Sequence, residues 1–146
     1  LRSWKRVYES DLKHLVAELR SNINVPALIM LEGDLGSGKT SLSKVFIGES
    51  EEAVSPTYSV LYEVNNILHA DFYRIKTRED IIHLELELYL ENKDFFLAEW
   101  SLQHIESINS ELPENFNIYL LEIESQPNHE STLASRNYHL SKIKII

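Results

Sequence analysis

The 146-residue chain has no cysteine, one methionine, four glycines and four prolines. Without cysteine there is no disulfide, no thiol nucleophile and no zinc–cysteine centre. That usage fits a cytoplasmic setting. Long apolar runs are also lacking: none approaches the roughly 20 residues a membrane helix needs, so no membrane association is expected. The opening Leu1-Arg2-Ser3-Trp4-Lys5-Arg6 runs straight into charged residues, with no signal-peptide core and no initiator methionine, as at a processed or trimmed start. Positive charge is scarce, with 14 Lys and Arg against 23 Asp and Glu and a net charge of −9. A protein that grips nucleic acid unaided presents a basic face, because phosphate neutralisation supplies most of the affinity. The scattered basic residues here argue against strong direct binding. At 43% hydrophobic residues, with no repeat, low-complexity tract or linker, the length and composition predict one globular domain over residues 1–146.

Three of the four glycines fall within six residues, in Gly33-Asp34-Leu35-Gly36-Ser37-Gly38-Lys39-Thr40. This satisfies G-x-x-x-x-G-K-[ST], a phosphate-binding P-loop, which roughly one random chain in 200 of this length would carry by chance. An apolar run, Pro26-Ala27-Leu28-Ile29-Met30-Leu31, precedes it and reads as a buried strand; Ser41-Leu42-Ser43-Lys44-Val45-Phe46 follows as the start of a helix. Strand, glycine loop and helix form the context that gives the pattern meaning. A triphosphate carries about four negative charges, which backbone N–H groups meet in a nest at a helix N-terminus. The expected nucleotide site is Asp34, Leu35, Gly36, Ser37, Gly38, Lys39, Thr40 and Ser41. Lys39 would reach the β- and γ-phosphates, and the Thr40 hydroxyl would ligate Mg2+.

Elsewhere, residues 3–8 read as a short strand. Ser10-Asp11 reads as a helix N-cap before Leu12, Leu15, Val16 and Leu19, with Ser21-Asn22 ending that helix. Residues 58–64 and 67–71 form a predicted hairpin about Asn65-Asn66. Thr77 and Asp80 have capping-box spacing for a helix to about Leu84. Residues 84–90 alternate like a strand but consist of Leu and Glu like a helix; the helix is preferred. Residues 95–99, 117–123 and 136–143 complete a predicted α/β fold: a P-loop NTPase domain with a mixed, mostly parallel sheet flanked by helices.

Ligands in such folds sit beyond the C-terminal ends of strands, which draws attention to carboxylates there. Glu99, after Phe95-Phe96-Leu97-Ala98, has the form of a Walker B acid, and Asp71 ends Ile67-Leu68-His69-Ala70. Each also reads as a solvated carboxylate capping the next element. Thr57, in Ser55-Pro56-Thr57, reads equally as a ligand of the metal or γ-phosphate and as a turn hydroxyl. His69 shares a strand face with Asp71, but without a third ligand a structural or hydrogen-bonding role is favoured. Arg74, Lys76 and Arg78 suggest a solvated loop, and no arginine finger is evident in the chain. Tyr73 and Trp100 are expected to pack. Asn92-Lys93-Asp94 fails the guanine motif by one position, which argues against a GTPase. A small-molecule or nucleotide kinase would want a richer basic lid than Arg74 to Arg78 supply.

Four segments in order resemble the TsaE family: the glycine loop, Ser55-Pro56-Thr57-Tyr58, His69-Ala70-Asp71-Phe72-Tyr73-Arg74, and Leu97-Ala98-Glu99-Trp100. The resemblance runs from about residue 10 to 124. It implies a P-loop ATPase that binds and hydrolyses Mg-ATP in a complex with TsaD and TsaB. That activity would permit repeated turnover during threonylcarbamoyladenosine (t6A) modification of tRNA, with tRNA met only through the complex. Hydrolysis would be slow without partners, and a nucleotide-responsive scaffold would use the same residues. By position, Lys39, Asp71 and Glu99 carry over as catalytic groups, Thr40 and Glu99 as the Mg2+ site, and Thr57 as a switch-like residue. The chain departs from the family in a shorter segment before Ser55, in Glu85 where glycine is usual, and in a weak match over residues 128–135.

Overall fold

Apolar residues at Leu12, Leu15, Val16 and Leu19 recur at helical spacing, whereas Ala27 to Leu31 are apolar without interruption. The first pattern buries one stripe of a helix and the second both faces of a central strand. The computed structural model, which describes residues 2–34, 36–48, 60–126 and 134–145, shows both. Leu12, Leu15, Val16 and Leu19 are the buried side of α1 (Leu12–Asn22), and β2 (Ala27–Glu32) is buried along all but its last residue.

The other elements are β1 (Arg2–Tyr8), α2 (Lys39–Ile47), β3 (Leu61–Val64), β4 (Ile67–Asp71), α3 (Arg78–Ile82), α4 (Leu86–Leu90), β5 (Phe95–Glu99), α5 (Ile105–Glu111), β6 (Asn117–Gln126) and β7 (Ser135–Ile143). The seven strands form one mixed sheet in the order β1-β7-β6-β2-β5-β4-β3. Its centre, β6-β2-β5-β4, is parallel, and antiparallel strands extend both sides. Helices pack on both faces. Ala27, Ile29 and Leu31 of β2 join α1 and α2 in one core layer; Leu28 and Met30 join residues of α3, α4 and α5 in the other.

The turn chemistry is local. Asn65 takes a positive φ of 50°, as a tight hairpin requires. Thr77 accepts a hydrogen bond from Asp80 N–H, while the Asp80 carboxylate accepts from the backbone N–H of Thr77, closing the capping box. The ambiguous stretch is largely helical from Leu86, and Glu85 before it is left-handed at φ 54° and ψ 50°. A side chain there costs about 1 kcal/mol. Glu85→Gly is expected to raise the thermal midpoint by about 2–4 °C in a calorimetric scan. Residues 55–58, with Thr57, lie outside the described residues, as do Leu35 and residues 128–133.

Candidate nucleotide site

The period of two along a strand sets which side chains reach the glycine loop. Ile67 and Phe95 face the layer of α1 and α2, so His69 and Asp71 on β4, and Leu97 and Glu99 on β5, face the same way. The parallel register then places Asp71 beside Glu99, while Leu31 pairs with Glu99 from β2. Three strands thus end together where the glycine loop leaves β2. The corner beyond Glu99 is braced: Phe72 N–H donates to Glu99 O at 2.9 Å, Leu102 N–H to a Glu32 carboxylate oxygen at 2.6 Å, and the buried Ser101 hydroxyl to Ala98 O at 3.1 Å.

In the loop itself, Gly36 and Gly38 have positive φ, 78° and 103°. Ser37 N–H turns back to Asp34 O at 2.9 Å, and Gly38 O accepts the first helical bond from Leu42 N–H at 3.0 Å. The result is a tight concavity at the head of α2, the geometry by which backbone N–H groups hold anions. The buried Ser37 hydroxyl lines the same cavity and finds no hydrogen-bond partner within the protein among the described residues. An orphaned hydroxyl in such a loop fits a bound polar ligand.

Lys39 is only 5% exposed. Its ammonium donates to the carbonyl of Gly33 and to that of Asp34 at 3.2 Å, and sits 3.8 Å from the centre of the Trp100 indole ring. Burial pulls its pKa below the usual lysine range, while the charges of Glu99, Glu32, Asp34 and Asp71 oppose that shift. Anionic phosphates arriving here would reinforce the charged form.

Glu99 is 2% exposed, so the reading of it as a solvated cap fails. One carboxylate oxygen accepts from the Thr40 hydroxyl at 3.2 Å; the other meets His69 Nε2 at 2.6 Å. A hydroxyl and a carboxylate together are hard oxygen donors. They suit Mg2+, which keeps several waters and takes phosphate oxygens. Asp71 is half-buried in the same cavity, and one of its oxygens caps its own turn by accepting from Tyr73 N–H at 3.0 Å. The capping reading therefore describes one Asp71 oxygen without exhausting the residue.

The cavity, of about 370 Å³, is lined by residues 36–41 together with Asp71, Tyr73, Glu99, Trp100 and Arg136. Arg136, which the sequence reading does not single out, is among those lining residues. A Cβ at Gly38 would lie 2.7 Å from its guanidinium carbon, so this charge rests against the loop from β7. The available signal was its register with the inward-facing Tyr138 and Leu140, which no motif advertises. Trp100 and Tyr73 also depart from simple packing. Trp100 has φ 56°, unusual for a bulky side chain, and covers the Lys39 ammonium. Tyr73 is 58% exposed and meets Trp100 edge-on with ring centres 5.2 Å apart. Arg74, Lys76 and Arg78 are exposed, in keeping with a solvated loop.

Residues 7–134 match the model of the family described as "Threonylcarbamoyl adenosine biosynthesis protein TsaE". The chain is 38% identical over 101 residues to the tRNA threonylcarbamoyladenosine biosynthesis protein TsaE of Rickettsia conorii, covering 64% of this chain and 57% of that protein. It is 31% identical over 119 residues to the protein of the same name from Bacillus subtilis, covering 76% and 71% respectively. The chain thus matches little more than half the length of the Rickettsia conorii protein. In fold it is similar to the crystal structure of Bacillus subtilis YdiB, with a TM-score of 0.52 at 21% identity, covering 94% of this chain and 83% of that one. No helix among the described residues is long and apolar enough to cross a membrane. From the family match over most of its length, this chain belongs to the TsaE family of threonylcarbamoyl adenosine biosynthesis proteins.

Proposed function

We propose that the chain binds and hydrolyses Mg-ATP in the cytoplasm, in a complex with TsaD and TsaB that carries out t6A modification of tRNA. The observation that carries this reading is the convergence of Lys39, Thr40 and Glu99 at the glycine loop, with Thr40 and Glu99 3.2 Å apart. Asp34 to Ser41 cradle the phosphates, Lys39 supplies a fixed positive charge and Arg136 a movable one beside Gly38. Thr40 and Glu99 would hold Mg2+, which when bound neutralises phosphate charge. Asp71, through its oxygen not used in the turn, orients the attacking water or the water shell of the metal. Thr57 serves as the switch-like residue near the γ-phosphate. Contact with tRNA is left to the complex, in keeping with the net charge of −9.

The test is ATP hydrolysis by this chain alone and with TsaD plus TsaB, with tRNA modification scored in the same tubes. Slow hydrolysis alone, stimulation by the partners and many modification cycles per complex are expected. Unchanged hydrolysis with no modification would sink the assignment.

A second reading, a scaffold whose partner contacts respond to nucleotide, is favoured by the exposed Tyr73 resting on Trp100, which itself covers Lys39. Site occupancy could thereby be felt at the surface. Glu99→Ala separates the two: if it binds ATP without hydrolysing it and still supports many cycles, the scaffold reading stands.

A further inference from the structure

We propose that His69 is the positioning residue for Glu99, dividing its carboxylate so that one oxygen is pinned and the other is presented to Thr40 and a divalent cation. The inference rests on the reading of Thr40 and Glu99 as the metal pair. Both partners are buried, at 3% and 2% exposure, and their contact is 2.6 Å. A carboxylate so far from water is costly unless both oxygens are satisfied. Thr40 serves one oxygen, and among the described residues His69 serves the other.

The sheet explains why a histidine two residues before Asp71 can do this. His69 pairs in register with Leu97, diagonal to Glu99, and the period of two puts it on the same face. The five-membered ring spans the diagonal and delivers Nε2–H to the far oxygen. The carboxylate can only accept, so the ring nitrogen facing it is the one that carries the proton. With His69 holding the second oxygen, the first stays on the Thr40 hydroxyl at the head of α2. Groups that orient metal-bound carboxylates in this way typically contribute about 10–100-fold to metal affinity.

The test measures Mn2+ affinity by water-proton relaxation, on the full chain with a non-hydrolysable ATP analogue, and analogue affinity in EDTA. His69→Leu removes the N–H at similar bulk, whereas His69→Gln places an amide N–H near the position of Nε2. His69→Leu is expected to weaken Mn2+ by about 10–100-fold while leaving metal-free analogue binding within about twofold, and His69→Gln to restore most of the loss. A purely structural role would weaken both kinds of binding together and show no rescue. Mn2+ binding by His69→Leu equal to the unaltered chain, or no recovery in His69→Gln, overturns the proposal. Thr40→Ala and Glu99→Gln run alongside. If they lose Mn2+ and His69→Leu does not, the metal reading stands and the His69 inference falls; if all keep it, both fall. Should His69→Leu fail to fold by circular dichroism, His69→Asn replaces it, being polar but too short to reach Glu99.

Discussion

Lys39→Ala is expected to lower ATP turnover by about 100-fold or more, close to 3 kcal/mol of transition-state stabilisation. The reason lies in how the ammonium is held. Two backbone carbonyls and the Trp100 ring fix it at the mouth of the glycine loop, so its charge is in place before any phosphate arrives and little reorganisation is needed. Burial has already removed much of its water, and in such a site a fixed charge acts more strongly than it would in solvent. Steady-state hydrolysis with and without partners checks this. A Lys39→Ala protein that keeps most of its turnover would remove the glycine loop from the mechanism.

Gly38→Ala is expected to weaken ATP binding by about 5–150-fold, corresponding to roughly 1–3 kcal/mol of backbone strain. Two effects compete as the cause. At φ 103° an L side chain is strained whatever the space around it. The added Cβ would also lie 2.7 Å from the Arg136 guanidinium. The guanidinium is the far end of a flexible side chain and can withdraw, so the strain dominates. Without ligand the loop relaxes out of that conformation, and ATP must restore it, so the cost falls on affinity. Calorimetric titration of Gly38→Ala and of Gly38→Ala with Arg136→Ala separates the causes. Affinity should stay low in the double variant; full recovery would show that the contact, not the backbone, was at fault.

Much of this site is legible in the chain because its chemistry is local. The glycine loop needs its residues consecutive, since neighbouring N–H groups must converge on one ligand, and Asp71 and Glu99 each end an apolar strand. The hairpin at Asn65 and the capping box at Thr77 are also fixed within a few residues. Residues 84–90 were harder, since Leu and Glu favour a helix while their alternation suggests a strand. Packing resolved the conflict: Leu86 and Leu90, four apart, are both buried in one core layer, and a left-handed Glu85 starts the turn.

Arg136 and the His69–Glu99 contact were not legible. Arg136 reaches the glycine loop only because β7 pairs with β6 and β6 with β2; nothing near it in sequence mentions phosphate. His69 reads from its neighbours as a structural or hydrogen-bonding residue, but its partner is 30 positions away and follows from the β4–β5 register. Trp100 reads from the sequence as a packing residue, yet its left-handed backbone turns the ring over Lys39. By itself the sequence determined the loop, the strand-end acids and the class of fold, because each depends on neighbours along the chain. The tertiary structure decided which charges meet, because strand order and register bring together residues that no spacing relates, and burial then sets how strongly those charges act.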